Sequence, residues 1–387
     1  MTGSDSINGT EHRDGVDLYL ASINGAVAGR KIEPEYLDGQ GKADVSLAKA
    51  KQAVEGDHVQ MLMGVSTTPV CYAVAQYAKE AQVPFAATIN CGAQYLTTDP
   101  KFANPLLTRL TQTASANIDA AADWAYKNGH RKIDLMSSDY GGGIETSDAF
   151  ASAFILRGGS VVQEQHPAMG STDYGPFLAQ LNQDADLMVF FGAGADSLHF
   201  ADQYSSYASK KLPILDLYGQ ITNGPNIATL KDKVVGVTSA YVYTEAFDGA
   251  DNQAFLKNFH AKFPGRLTSG QLAQGYGNME VVAAAIKAAN GNIEDKSAFA
   301  NALHNVSVET IKGPVKLDQF NNVVQNTYLF QMVKDGNTYG QKLLDTYKDT
   351  GQFWDRTQQQ IDKLKLGSHK GQWVGMTKDK VAELQGS

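Results

Sequence analysis

Short apolar runs alternate with amphipathic stretches along most of this chain, and that alternation is its strongest constraint. HVQMLMG (58–64), VPFAATI (83–89), RKIDLMS (131–137), SVVQEQ (160–165), DLMVFFG (186–192) and LPILDLYG (212–219) have strand length and strand composition. Between them lie helical patterns at 43–55, 69–81, 115–127, 144–156 and 195–207, with Pro69 in a first turn, where its missing N–H costs nothing. Strand–helix alternation of this kind predicts parallel sheets covered by helices on both faces. Two such runs of roughly 100 residues each predict two doubly wound α/β lobes. An amphipathic helix over 11–24 and a strand over KIEPEYLD (31–38) come first. Thr172-Asp173 is expected to cap a helix over YGPFLAQLNQ. After the second run the pattern predicts a strand at 234–243, helices at 251–262, 270–289 and 295–304, and a β-ribbon from Gly313 to Gly336. The last 35 or so residues read as a loosely packed tail anchored by Trp354 and Trp373.

Composition narrows the function classes. With 33 Lys plus Arg against 41 Asp plus Glu, the net charge of −8 argues against nucleic acid and anionic membranes as partners. No run is long enough to insert in a membrane. Cys71 and Cys91 are too few for a disulfide scaffold or a multi-cysteine zinc site; two buried thiols are the expectation, with a single bridge open.

Ligands of open α/β sheets bind beyond the carboxyl ends of the strands. Here those ends read Gly64-Val65-Ser66-Thr67-Thr68, Thr88-Ile89-Asn90-Cys91-Gly92, Ser137-Ser138-Asp139-Tyr140-Gly141, Gly192-Ala193-Gly194-Ala195-Asp196 and Tyr218-Gly219-Gln220-Ile221-Thr222. They are rich in hydroxyls, amides and glycine and poor in His, Lys and Arg, which suits hydrogen-bonded capture better than acid–base chemistry. No phosphate loop, H-E-x-x-H or G-x-S-x-G is present. Gly192-Ala193-Gly194 reads as a tight strand–helix turn, because Ser197 stands where a dinucleotide loop needs its third glycine. His199 with Asp202 makes no metal site, and Asp139-Tyr140 has no adjacent nucleophile. The expectation is therefore no enzyme, no cofactor and no metal. Ser66-Thr67-Thr68-Pro69 offers hydroxyls and free N–H groups to an anion, and serves equally as an N-cap.

At these residues the chain resembles the type I periplasmic solute-binding proteins of ABC importers, in the branch related to the Leu/Ile/Val-binding protein. The matching stretches are Thr2-Gly3, Asp14-Gly15-Val16-Asp17-Leu18, Ala28-Gly29-Arg30-Lys31-Ile32, Met63-Gly64-Val65-Ser66-Thr67, Val83-Pro84-Phe85, Asp139-Tyr140-Gly141, Thr172-Asp173-Tyr174 and Gly313-Pro314-Val315. Their order and spacing fit over about residues 1–345.

The resemblance implies two lobes joined by a three-crossover hinge near 110, 244 and 312. Lobe one would be 1–110 plus 245–312, and lobe two 111–244 plus 313–387. A small-molecule ligand would lie in the interlobe cleft, and a monomeric, periplasmic protein would deliver it to a membrane permease. The resemblance also implies a leader and a first strand upstream of Met1, so that strand would be missing from this numbering. Ser66 and Thr67 would take a ligand carboxylate, with Asn90 and Gly92 beside them. Asn8 stands where the family often has an aromatic residue. Tyr140 would cover the ligand, Gly194 and Gln220 would line the same wall, and Tyr241 and Tyr276 are further candidates. Amino-acid binders of the family carry an acid where this chain has Gly219-Gln220-Ile221-Thr222. Its absence favours an aromatic carboxylate, with Asp139 or Asp196 as possible replacements. A branched-chain amino-acid-binding protein and a ligand-sensing regulatory domain are the alternatives.

Overall fold

The computed structural model describes residues 1–3 and 5–386, which divide into two compact units. The first comprises Met1–Thr113, Phe247–Phe259 and Ser269–Asn326, and the second Ala114–Ala246, His260–Thr268 and Thr327–Ser387. Residues 313–326 thus fall in the first unit. The reason is local pairing: Ser307–Thr310 runs antiparallel to Gly313–Leu317, whose end pairs with Val323 and Val324.

In the first unit three parallel strands, Leu62–Gly64, Phe85–Ala87 and Leu107–Arg109, stand side by side in that order. Phe85, Ala86 and Ala87 are all buried, as a strand covered on both faces requires. The third strand had no signal of its own, being three residues long and ending in a charged side chain. Cover on one side comes from the helix Thr68–Glu80, which buries Val70, Val74 and Ala78. Elsewhere in the unit the helices Ser6–Ser22 and Gly270–Ala288 cross at very short range. A Cβ added to Gly15 would lie 2.0 Å from the Leu272 carbonyl oxygen, and one added to Gly275 would lie 2.1 Å from that of His12. Two glycines therefore set the distance between these helices.

The expected strand over 31–38 is a two-residue pair, Ala26–Val27 with Arg30–Lys31, after which the chain runs unpaired past Pro34, which has no N–H to give a ladder. Cys71 and Cys91 are joined as a disulfide across a Cα separation of 6.0 Å, where two thiols had been expected. Proximity decides this: the Thr67 N–H donates to the Asn90 carbonyl at 3.2 Å and brings the two segments together.

The second unit holds a larger sheet in the order Ser160–Gln165, Lys132–Ser137, Leu187–Phe191, Ile214–Leu217, Thr238–Tyr241, parallel throughout, with Val323–Asp335 added antiparallel through Tyr328–Gln331. Strand order reverses beside Lys132–Ser137, which is where such sheets open a crevice at their carboxyl ends. The ribbon is longer than expected, continuing through Thr338–Thr350. The helix expected over 174–183 stops at Leu178, because Asn182 leaves to donate its N–H to Asp134 at 2.9 Å and its amide to the Val162 carbonyl.

The tail is not loose. Residues 358–364 and 378–385 are helical, and Trp373 is fully buried. Two carboxylates hold it: Asp148 accepts from Trp373 Nε1 at 2.7 Å and from the Gly367 N–H at 2.7 Å, and Glu164 accepts from the backbone of Gly371 and Trp373.

Candidate functional site

The carboxyl ends of the first unit's strands gather five of its six expected residues. After Leu62–Gly64 the chain turns through Val65 and Thr67 at φ +59° and +70°. Both are β-branched, and such residues in the left-handed region cost about 1–3 kcal/mol each and collect where function fixes the backbone. The turn delivers Thr67 to the start of the helix Thr68–Glu80, and the Thr68 hydroxyl accepts from the Ala93 N–H at 3.3 Å. Arg109 is wholly buried and donates to the carbonyls of Gly92 and Ala93, which fixes the second strand end.

Asn90 is the centre of a polar array. Its Oδ1 accepts from Gln271 Nε2 at 2.9 Å and from Gln112 Nε2 at 3.4 Å. With its oxygen taken twice, Asn90 has its amide N–H groups left to offer. Behind it, Gln112 accepts from Gln274 at 2.8 Å, and Gln274 accepts from the buried Lys312 ammonium at 3.1 Å. Burial lowers the Lys312 pKa to about 7, opposed by the nearby Glu280 carboxylate, which burial itself raises to about 8. His12, also buried, is pushed down to about 3 by desolvation and by the Lys312 charge, so it is a neutral imidazole here.

Ser66 does not stand as expected. Its hydroxyl donates to Asp5, whose other oxygen accepts from Asn8 Nδ2 at 2.6 Å. The Ser66 proton is therefore turned to a protein carboxylate. Asp5 escaped the sequence reading, sitting in a polar N-terminal run that offered no pattern. Tyr276 is away from this group: it packs on Tyr19 and Phe255, with ring centroids at 5.2 and 4.8 Å, and its hydroxyl donates to Ser22.

In the second unit the strand ends carry aromatic rings. Tyr140 precedes the helix Gly141–Leu156 and lies 6.3 Å from Phe191, which lies 5.2 Å from Tyr218. Tyr218 follows a strand end already named from the sequence, and Phe191 ends the strand Leu187–Phe191. Gly194 has φ +55° and ψ −118°, a conformation that suits glycine at the start of the helix Ala195–Tyr207. Gln220 is buried, and its side chain donates back to the Tyr218 carbonyl at 3.3 Å. Tyr241 is buried within the sheet.

Three acids near these strand ends are engaged. Asp216 accepts from the backbone N–H groups of Gln220, Ile221 and Thr222 and from the Ser239 hydroxyl, so it clamps the very loop that lacks an acid of its own. Burial raises its pKa to about 7 against those donors. Asp196 is buried and accepts from Ser138 and from the Gly170 N–H. Asp139 pairs with Lys370 at 2.6 Å. Neither expected replacement for the missing acid is presented as an unengaged charge. A cavity of about 380 Å³ lined by Thr97, Asn104, His304 and Phe320 reaches Leu107, at the amino end of its strand, opposite to where such sheets bind ligands.

The family model of periplasmic binding proteins matches residues 1–337. The chain belongs to that family. A Leu/Ile/Val-binding protein homologue of Brucella melitensis is 26% identical over 359 residues, covering 91% of this chain and 90% of that protein. An ABC transporter substrate-binding protein from Sphaerobacter thermophilus superposes with a TM-score of 0.82 at 28% identity, over 90% of this chain and 96% of the other. A solute-binding protein of an ABC transporter from Rhodopseudomonas palustris, solved with p-hydroxybenzoic acid, gives a TM-score of 0.81 at 26% identity, over 91% and 96%. The protein is thus an ABC-type substrate-binding protein of type I fold, in a family of periplasmic solute-binding proteins rather than enzymes, a family whose partners are a small molecule and a membrane permease. The family is periplasmic, and no helix among the described residues is long and apolar enough to cross a membrane.

Proposed function

We propose that this protein captures a small aromatic carboxylate for its importer. The observation that carries the reading is the orientation of Asn90: its oxygen is filled by two amide donors, so the amide presents N–H, which an anion accepts. The Thr67 hydroxyl and the start of the 13-residue helix Thr68–Glu80 lie on the adjoining strand end and favour negative charge there. In the second unit the partly exposed Tyr140 ring, packed near the buried Phe191, is of the kind a benzene ring stacks against. An α-amino acid would bring an ammonium, and burying that without a carboxylate is costly; Asp216, Asp196 and Asp139 are each already engaged. The p-hydroxybenzoic acid bound by the Rhodopseudomonas relative supports the same class. The Cys71–Cys91 disulfide supports an oxidising, extracytoplasmic location.

One observation favours a second reading. Asp5 is a carboxylate at Ser66 in the first unit; it too is engaged, by Ser66 and Asn8, and exchanging one of those donors for a ligand ammonium would supply the missing acid; the Brucella relative carries a Leu/Ile/Val-binding name. Thermal unfolding against benzoate, 4-hydroxybenzoate, leucine and isoleucine separates the two. Ligand at 100 times its Kd adds about 2.7 kcal/mol and raises Tm by several degrees. A rise with the aromatic acids alone supports the first reading. A rise with leucine alone, lost in Asp5→Asn, overturns it in favour of the second.

A further inference from the structure

A lysine ammonium donates and never accepts, so in that form, which Lys312 holds below about pH 7, every amide facing it must turn its oxygen inward. Lys312 is fully buried and donates to Gln274 Oε1 at 3.1 Å, Asn278 Oδ1 at 2.9 Å and Gln325 Oε1 at 3.1 Å. Turned this way, Gln274 points its NH2 outward, to Gln112 Oε1 at 2.8 Å and Thr111 Oγ1 at 3.3 Å. Gln112, its oxygen now occupied, reaches Asn90 Oδ1 with its own NH2. A second arm starts from the same cation. Asn278 donates its Nδ2 to the Thr88 carbonyl at 3.0 Å, fixing the strand end two residues before Asn90. Room for the lysine is made in the backbone: a Cβ on Gly277 would lie 2.9 Å from Lys312 Cε.

We propose that Lys312 is a positioning residue that sets the polarity of this amide relay, so that Asn90 turns its NH2 outward and the first unit selects a carboxylate over the isosteric neutral amide. The inference rests on the assignment of Asn90 to the ligand site. Reversing any link would bring an NH2 against the ammonium or leave two NH2 groups facing each other, so the chain of amides has one satisfied direction, and Gln271, outside the relay, holds Asn90 in that same direction from 2.9 Å. The cation itself never touches the ligand; it acts through three amides.

The test compares 4-hydroxybenzoate with 4-hydroxybenzamide by calorimetry in the wild type, Lys312→Met, Lys312→Arg and Gln274→Glu. Gln274→Glu keeps an acceptor against the ammonium but has no N–H to pass on, so it breaks the relay without orphaning the cation. The acid-to-amide preference should fall about tenfold in Lys312→Met and Gln274→Glu, the worth of one charge-assisted hydrogen bond, and return in Lys312→Arg. Should Lys312→Met fail to fold, Gln274→Glu decides. A folded Gln274→Glu whose preference stays within about twofold of the wild type overturns the proposal.

A readout without ligand accompanies it. The Gln112 side-chain amide protons should be protected from exchange in the wild type and exposed in Gln274→Glu; unprotected Gln112 in the wild type overturns the relay. If neither probe binds while that protection pattern holds, the aromatic-acid reading has failed and the relay stands.

Discussion

Replacing Gly15 or Gly275 by alanine should destabilise the first unit although both lie inside helices, where alanine is normally the better residue. Alanine gains about 1 kcal/mol of intrinsic helix propensity over glycine. Against that stands space. The new Cβ at Gly15 would lie 2.0 Å from the Leu272 carbonyl oxygen, where ordinary contact begins near 3.4 Å, so the helices Ser6–Ser22 and Gly270–Ala288 must part by about 1.4 Å. A gap of 0.5–1 Å already forfeits roughly a quarter to a half of the dispersion energy of the atoms along a contact, and overpacking costs about 1–3 kcal/mol or more. Parting also stretches the buried Ser269–Glu11 hydrogen bond, now 2.7 Å. The clash wins, and the net loss is about 2–4 kcal/mol, or roughly 5–10 °C in Tm. Gly9, on the same first helix, is the matched control: its Cβ would meet only the flexible Met1 side chain at 3.2 Å, so Gly9→Ala should be neutral or stabilising by up to about 1 kcal/mol. Thermal unfolding followed by circular dichroism reads all three. A Gly15→Ala or Gly275→Ala protein as stable as Gly9→Ala would refute the claim that these two glycines set the helix distance.

Other expectations follow from single contacts. Reducing Cys71–Cys91, which closes a 20-residue loop, should cost about 3 kcal/mol, and equal melting temperatures with and without reductant would contradict this. His12 titrates near 3 when buried and near 6.5 when unfolded, so between those values only the unfolded chain binds the proton. Stability from this group is therefore full above pH 6.5 and falls with acid, by about 3 kcal/mol between pH 7 and pH 4, and His12→Asn should flatten the difference in urea midpoints over that range. Asn90→Asp would set a carboxylate against the ligand's own and should weaken 4-hydroxybenzoate binding by about 100-fold or more, whereas Asn90→Ala should lose only about tenfold by calorimetry.

The sequence carried the parallel sheets because Val-, Leu- and Phe-rich runs between amphipathic helices admit few other arrangements, and the strand-end rule then pointed to the loops of Ser66, Thr67, Asn90, Gly92 and Tyr140, whose part in binding is the proposal above. It did not carry Leu107–Arg109, whose arginine reads as surface and is buried only because the Gly92 and Ala93 carbonyls satisfy it. Lys312 was hidden for the same reason: a lysine beside Gly313-Pro314 looks exposed, and nothing local tells that Gly277, Gln274 and Asn278 will enclose it. Asp216 did leave a signal, an acid inside the apolar run LPILDLYG, which is tolerated only if something nearby needs a buried acceptor; the backbone of Gln220–Thr222 is that need. Tyr276 was only a further candidate, since a tyrosine on an apolar helix commonly packs in the core, and it packs on Tyr19 and Phe255.

Keeping the cation at Lys312 rather than in the site has a physical consequence. An arginine or lysine touching the ligand would form a buried ion pair, in which two desolvation costs are set against one strong attraction, and breaking such a pair is expensive. A protein that hands its ligand to a permease has to let go of it. Neutral amides whose direction is fixed from behind still present N–H dipoles to a carboxylate, and dipoles held in place cost no reorganisation when the ligand arrives or leaves. The charge that orients them is satisfied within the first unit by three amide oxygens whether or not ligand is present. On this view Lys312 acts on selectivity more than on affinity. The acid-to-amide ratio should therefore respond to Lys312→Met more steeply than the binding of either probe taken alone.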